Sequence, residues 1–427
     1  MSNINERFYE LHQKSAVLSE KSEELFPDGV THDSRKIGPF RVYMDRGLGP
    51  RKWDIDGNEY IDYKTGHGSM ILGQAHPAIV KAVSEQVAKG THLSASTELE
   101  VKWGDLVTKL VPSADKVRFV NSGTEAVMMA FRMARTHSSN TKVVKFKNAF
   151  HGWADGPFVG ADGDNEQNGI TRSTRETMVV LPYDIAEVEE ALSGGGIAAV
   201  IFQGNQVIDP TFIKQLRELT LNTGTILIFD EVVSGFRWSR GGCQGLYGVE
   251  PDMTTMAKIL AGGLPGGCVA GKAEIIDTIA SNKISHPGTF NANPISAAAG
   301  SSALEIIMNE NIGETADARA SQLKEGLNEI FTKLEIPGTA YGVSSIVQVQ
   351  LGSDEDCDLT YGPDPNKSVK GYDKHVIEHL HRAFINEGLW ANPLSLILSA
   401  THTKQDIETT LEKYRTALIN LRDEGAI

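Results

Sequence analysis

The chain has 427 residues, 40% of them hydrophobic and 22% charged, with 42 glycines; this is an ordinary globular profile, long enough for two domains and a sizeable core. Its 41 Lys and Arg against 55 Asp and Glu leave a formal net charge of −14, which argues against nonspecific nucleic-acid or anionic-membrane binding, although one local arginine can still hold an anionic substrate. The cysteines Cys243, Cys268 and Cys357 show neither metal spacing nor a disulfide framework, the N-terminus Met1 to Arg7 is polar, and no apolar run approaches a membrane span of about 20 residues, so reduced thiols and a cytoplasmic location are expected.

In chain order, Phe8, Leu11, Leu18 and Leu25 recur near helical spacing and predict one amphipathic helix over 8–25. Residues 51–63 alternate around Asp56-Gly57 and read as a hairpin. From about 65 to 300 the pattern repeats strand, loop, helix. Strands are predicted at Val117–Val120, Lys142–Phe146, Met178–Leu181, Ala198–Phe202, Thr225–Asp230 and Cys268–Gly271, with helices at 124–137, 184–193 and 211–223 between them. Short apolar strands alternating with helices imply an α/β chain with a mostly parallel sheet covered on both faces. Beyond 300 helices dominate, with a strand-like Ser345–Leu351, a polar turn-rich surface loop over 352–366, and a last helix at 404–423 that Thr403 would cap. Residues 65–300 are expected to form a large domain; 1–64 and 301–427 would build a smaller one.

Two segments bear most on chemistry. The apolar run Thr225–Phe229 ends in Asp230-Glu231-Val232, and Pro251–Ala257 leads into Lys258 and a glycine-rich turn, Ala261 to Gly267. A lysine amine can form a Schiff base with the aldehyde of pyridoxal phosphate. A carboxylate can keep the cofactor's pyridine nitrogen protonated, so that the ring accepts electrons. Alone, each feature also reads blandly, as a strand-end cap and a solvated lysine. Asn121-Ser122-Gly123-Thr124-Glu125-Ala126 lies between a strand and a long helix, where Ser122, Gly123 and Thr124 could hold a phosphate at the helix N-terminus or serve as a plain cap. It is neither a Walker loop nor a dinucleotide fingerprint. Phe150-His151-Gly152-Trp153 follows a strand end, where a ring could stack on a cofactor or anchor the core.

Taken together with Leu72 to Pro77 and Gly288 to Pro294, these segments resemble the fold-type-I, class-III pyridoxal-phosphate aminotransferases, and within them the glutamate-1-semialdehyde 2,1-aminomutase branch. The resemblance implies that Lys258 carries the cofactor and shuttles protons, that Asp230 pairs with the pyridine nitrogen, and that Val232 and Phe150 cover the two ring faces. It implies His151 near the ring and Ser122, Gly123 and Thr124 on the phosphate. Thr289 would reach the phosphate of a neighbouring subunit, making a homodimer with shared sites. Arg35 falls where the branch has an arginine for the substrate carboxylate. No metal is implied.

The chain departs from that branch in two places. Where the branch has Glu-Pro, it reads Phe202-Gln203-Gly204-Asn205, by replacement or by deletion. The stretch from Asp155-Gly156-Pro157 through Asp162-Gly163-Asp164-Asn165-Glu166 is shorter and more acidic than the branch's Ser/Gly-rich gating loop, and an acidic entrance would disfavour dicarboxylates. An aminomutase must retain its intermediate behind a closing loop; an aminotransferase lets one product leave and a second substrate enter. The expected activity is therefore transfer of an amino group from a carboxylate-bearing α- or β-amino acid to a keto acid. The 2,1-aminomutase, an amino-acid racemase or epimerase, and a non-catalytic cofactor binder are the alternatives.

Overall fold

A computed structural model describes residues 3–161, 164, 168–280, 283–353, 355 and 357–427. Three N-terminal strands, β1 (Met44–Leu48), β2 (Arg51–Asp54) and β3 (Glu59–Asp62), form an antiparallel meander whose outer strand pairs in parallel with the C-terminal β13 (Leu389–Trp390). The central sheet has seven strands: β4 (Lys116–Val120), β5 (Lys142–Phe146), β6 (Met178–Leu181), β7 (Ile197–Gln203), β8 (Ile226–Asp230), β9 (Met253–Ala257) and β10 (Gly267–Gly271). Their spatial order is β4-β10-β9-β8-β7-β5-β6, parallel throughout except for β10, which runs antiparallel to both neighbours. A third sheet joins β11 (Gly338–Tyr341), β12 (Ile346–Leu351) and β14 (Ser395–Ile397). This is the α/β architecture expected from the strand–helix alternation.

Burial explains why the central strands read as unbroken apolar runs. Every residue of β8 and β9 is buried, and β7 is buried up to its last residue, Gln203. Helices cover both faces, so alternation has no purpose there. β9 was not predicted as a strand; Thr254 and Thr255 interrupt its apolar character, yet both are buried. A separate apolar core links the chain ends: Ile4, Ile61 and Tyr63 pack with Leu323, Leu327, Phe384, Leu396 and Leu418. The final helix, Lys404–Asp423, begins at Thr403, whose hydroxyl accepts from the Asp406 N–H in a reciprocal capping box.

The N-terminal expectation needs correction. Two helices, Ile4–Leu11 and Gln13–Leu25, replace the single one, because His12 leaves the helical region and buries its ring. Its Nδ1 lies 2.7 Å from the Phe8 carbonyl oxygen and its Nε2 2.7 Å from the Tyr60 hydroxyl. The second helix also turns the other way round. Ser15, Ser19 and Ser22 are buried, while Leu18 and Leu25 are exposed. The inward serines are satisfied rather than apolar: Ser15 donates to Asp56, Tyr43 donates to Ser22, and Arg41 donates to Ser19. In the predicted surface loop, Asp354 and Asp356 lie outside the described residues, and Asn366 exchanges two hydrogen bonds with the Tyr183 backbone.

Candidate active site

The site grows from three adjacent strand ends. β8 delivers Asp230 at its last position, opposite Gln203 of β7 on one side and Thr255 of β9 on the other. One Asp230 oxygen lies 2.7 Å from His151 Nδ1. The other accepts from the Val232 N–H at 3.1 Å and, more weakly, from the Thr255 hydroxyl at 3.4 Å. Both Asp230 and His151 are buried. Burial pushes the imidazole pKa down, while the carboxylate beside it pulls the other way. His151 Nε2 is buried with no partner.

Lys258 follows β9 directly and opens a 3₁₀ turn, Lys258–Ala261, with a left-handed φ of 54°. A non-glycine residue in that region is uncommon and marks a position held by its surroundings. Burial drives its amine pKa down; Asp230 opposes that and Arg237 reinforces it. No described residue forms a hydrogen bond with its amine. A partly buried amine that is easily deprotonated, beside a buried carboxylate, is suited to nucleophilic attack on an aldehyde.

The helix Gly123–Ser138 supplies the anion end. Ser122 caps it, its hydroxyl accepting from the Glu125 N–H at 3.2 Å. Among the described residues nothing accepts from the N–H groups of Gly123 and Thr124, which remain free donors at the positive end of the helix dipole. Two glycines bring the segments together. A β-carbon on Gly123 would lie 2.8 Å from the Val232 side chain, and one on Gly152 would lie 2.6 Å from the Thr124 hydroxyl. Ser122, Gly123, Thr124, His151, Val232, Asp230 and Lys258 therefore converge. Free helix donors, an unpartnered amine and a buried carboxylate held by histidine fit an aromatic aldehyde bearing a phosphate.

The remaining predicted residues lie further out. Phe150 is 54% exposed; its N–H donates to the Gln203 side chain at 2.8 Å and its ring meets Phe158 edge-on. Gln203 thus holds the aromatic segment beside Asp230. Thr289 is exposed, and its carbonyl oxygen lies 2.6 Å from His92 Nε2. Arg35 is exposed in the short turn Asp33–Arg35 and donates to the Thr31 hydroxyl at 2.9 Å. Of the acidic stretch, Asp162, Gly163, Asn165 and Glu166 lie outside the described residues. Asp164 is gripped by both terminal nitrogens of Arg175 at 2.8 Å, which holds its carboxyl well below the usual range.

Three contributors escaped the sequence reading. Thr255 touches Asp230, and its only signal is a hydroxyl in an otherwise apolar strand. Lys145 is fully buried on β5 and donates to the Pro157 carbonyl at 2.7 Å; burial lowers its pKa to about 8. His67 stacks on His32 at 5.0 Å and senses the charges of Lys64, Lys258 and Arg35.

A strand-end carboxylate, a lysine just past the neighbouring strand and free helix N–H donors fit a fold-type-I pyridoxal-phosphate enzyme, with pyridoxal phosphate as its cofactor. The chain belongs to the class-III aminotransferase family, whose profile matches residues 33–418. It is 37% identical over 422 residues to glutamate-1-semialdehyde 2,1-aminomutase 2 of Brevibacillus brevis, covering 94% of this chain and 97% of that protein. Among solved structures it resembles an omega-transaminase from Sphaerobacter thermophilus, with a TM-score of 0.87 and 32% identity over 96% of this chain and 98% of that one. It also resembles a transaminase with PLP bound, with a TM-score of 0.88 and 26% identity over 97% and 99%.

Proposed function

We propose that the chain is an aminotransferase that moves an amino group from a carboxylate-bearing α- or β-amino acid to a keto acid. Bound pyridoxal phosphate would supply an electron sink for the substrate carbon. The chain's residues would do the rest. Asp230, held by His151, Val232 and Thr255, would keep the pyridine nitrogen protonated. Lys258 would carry the cofactor between turnovers and move the proton at the substrate carbon. Val232 and Phe150 would confine the ring, and Ser122, Gly123 and Thr124 would hold the phosphate.

One observation carries the choice of transfer over internal rearrangement. The described residues just after His151 are tied down: buried Lys145 donates to the Pro157 carbonyl, and the Asn148 N–H donates to the Gly160 carbonyl at 2.9 Å. A segment pinned to the sheet is poorly suited to close over a retained intermediate. The aminomutase reading keeps support from the 37% identity to a protein of that name. Incubation of the holoenzyme with α-, β- and ω-amino donors decides between them. Bleaching of the visible cofactor band, with recovery and a new amino acid on adding a keto acid, is expected. Conversion of glutamate-1-semialdehyde to its isomer without any keto acid would overturn the proposal.

Arg35 is proposed to grip the donor carboxylate through its two-pronged guanidinium. Arg35→Ala should weaken carboxylate-bearing donors by about 1.5–3 kcal/mol, the range for charged hydrogen bonds, and leave simple amines unchanged. Comparing kcat/KM for one donor of each kind tests it; equal losses would remove Arg35 from the substrate site.

A homodimer is also proposed. Thr289 is exposed, next to Phe290 at 58% exposure, on a segment held by its carbonyl contact with His92, by the Phe290 ring edge-on to His92 and by its Asn291 neighbour. It would complete the phosphate site of a second subunit. Activity is expected to fall on dilution, and sedimentation showing a fully active monomer would contradict this. The three cysteines are unpaired, which supports a reducing, cytoplasmic setting.

A further inference from the structure

Beside the site lies a cavity of about 430 Å³ whose lining includes Arg35, Arg41, Lys52, Lys64, His67 and Trp390. Among the described residues no carboxylate lines it, although the chain as a whole is strongly acidic. The cations are not equivalent. Arg41 is spent on Glu23 and on the Asp28 carbonyl. Lys52 is spent on Asp62 at 3.0 Å. Asp62 also accepts from the backbone N–H groups of Lys64 and Thr65 and from the Gln74 amide, so its oxygens are committed.

Lys64 is left over. Its ammonium stands 5.6 Å from the Trp390 ring centroid, with no carboxylate within ion-pair distance and no hydrogen-bond acceptor among the described residues. The side chain is half-buried; burial and neighbouring Lys52 lower its pKa, while Asp62 opposes them in part. A partly desolvated ammonium that is in no ion pair, and shares the single Asp62 charge with Lys52, leaves positive charge that an anionic ligand would offset. Arg35 is likewise without a carboxylate partner among the described residues, its guanidinium donating to the Thr31 hydroxyl. His67 lies between these groups electrically: burial, then His32, Lys64, Lys258 and Arg35 push its pKa down to about 4, so it adds no charge near neutral pH.

We propose that Lys64 is a second anion subsite of the substrate cavity, so that the substrate held by Arg35 is a short dicarboxylate amino acid or its keto acid. The charge count selects carboxylate. Arg35 and Lys64 are the two cavity cations that are in no ion pair among the described residues, and two carboxylates match them where a carboxylate plus a dianionic phosphate would exceed them. Asp164 of the acidic stretch does not stand against such a ligand as a free charge, because Arg175 pairs with it. The inference rests on the aminotransferase reading for the identity of the ligand, and it specifies the substrate class of that same site.

Binding of two unreactive acids to the holoenzyme, glutarate and butyrate, tests it by calorimetric titration without turnover. Glutarate should bind more tightly than butyrate. Lys64→Met should weaken glutarate roughly 10- to 100-fold, the equivalent of losing one charged hydrogen bond, and leave butyrate unchanged. Lys64→Arg should retain glutarate binding, which guards against a Lys64→Met variant that merely folds badly. Equal affinity of wild type for the two acids, or equal losses for both in Lys64→Met, would overturn the inference. Lys64-dependent glutarate binding in an enzyme that no amino donor bleaches would sink the aminotransferase reading and leave the subsite standing.

Discussion

Replacing Lys258 by alanine is expected to abolish turnover while leaving pyridoxal phosphate bound. The lysine amine is partly buried, depressed in pKa and without a hydrogen-bond partner among the described residues, and it feels the charge of Asp230. Those properties serve proton movement, which positioned acid–base groups accelerate by roughly 10²–10⁴-fold, and covalent attachment adds to the loss. In the proposed site Ser122, Gly123 and Thr124 would hold the phosphate and Asp230 the ring, and none of these would depend on Lys258. The variant should therefore retain cofactor through gel filtration. Borohydride reduction should add the cofactor's mass to wild type and not to Lys258→Ala. A variant that still turns over near the wild-type rate would show that another group does this work.

Asp230→Asn should lower kcat by several orders of magnitude with little loss of fold. Its oxygens face His151, the Val232 N–H and the Thr255 hydroxyl. An amide keeps an acceptor for Val232, and the imidazole can change tautomer to meet the new NH₂ group. The packing survives, so the melting temperature should move only slightly. What fails is electrostatic: a neutral amide cannot hold a proton on the pyridine nitrogen, and the ring loses its electron demand. The cofactor absorbance should shift accordingly. A variant within about tenfold of wild type, or roughly 1.4 kcal/mol of barrier, would contradict the assigned role.

Much of this site was legible in the sequence because its parts are local. β8 ends at Asp230 because an apolar run meets a carboxylate. The helix after β4 starts at Ser122 because a capping hydroxyl precedes a good helix former. Lys258 precedes a glycine-rich turn that is visible in one dimension. Each such signal depends on neighbours a few residues apart, and backbone geometry converts it directly into a strand end or a helix start.

What the sequence could not show depends on contacts between distant residues. The break at His12 exists because Tyr60 offers a hydroxyl to its ring, and the inward serines of the second helix exist because Asp56, Arg41 and Tyr43 meet them. β9 hid behind its threonines, whose partners Asp230 and Ser113 lie far off in the chain. Lys145 looked like one more strand residue, yet its burial against the Pro157 carbonyl pins the segment after His151. Lys64 carried no motif at all. That it is in no ion pair among the described residues emerges only when Asp62 is seen to bind Lys52, Thr65 and Gln74 directly. Local propensity and periodicity determine where strands and helices begin; the balance of charge and hydrogen bonds in a buried cavity is a sum over the whole fold, and only the tertiary structure decides it.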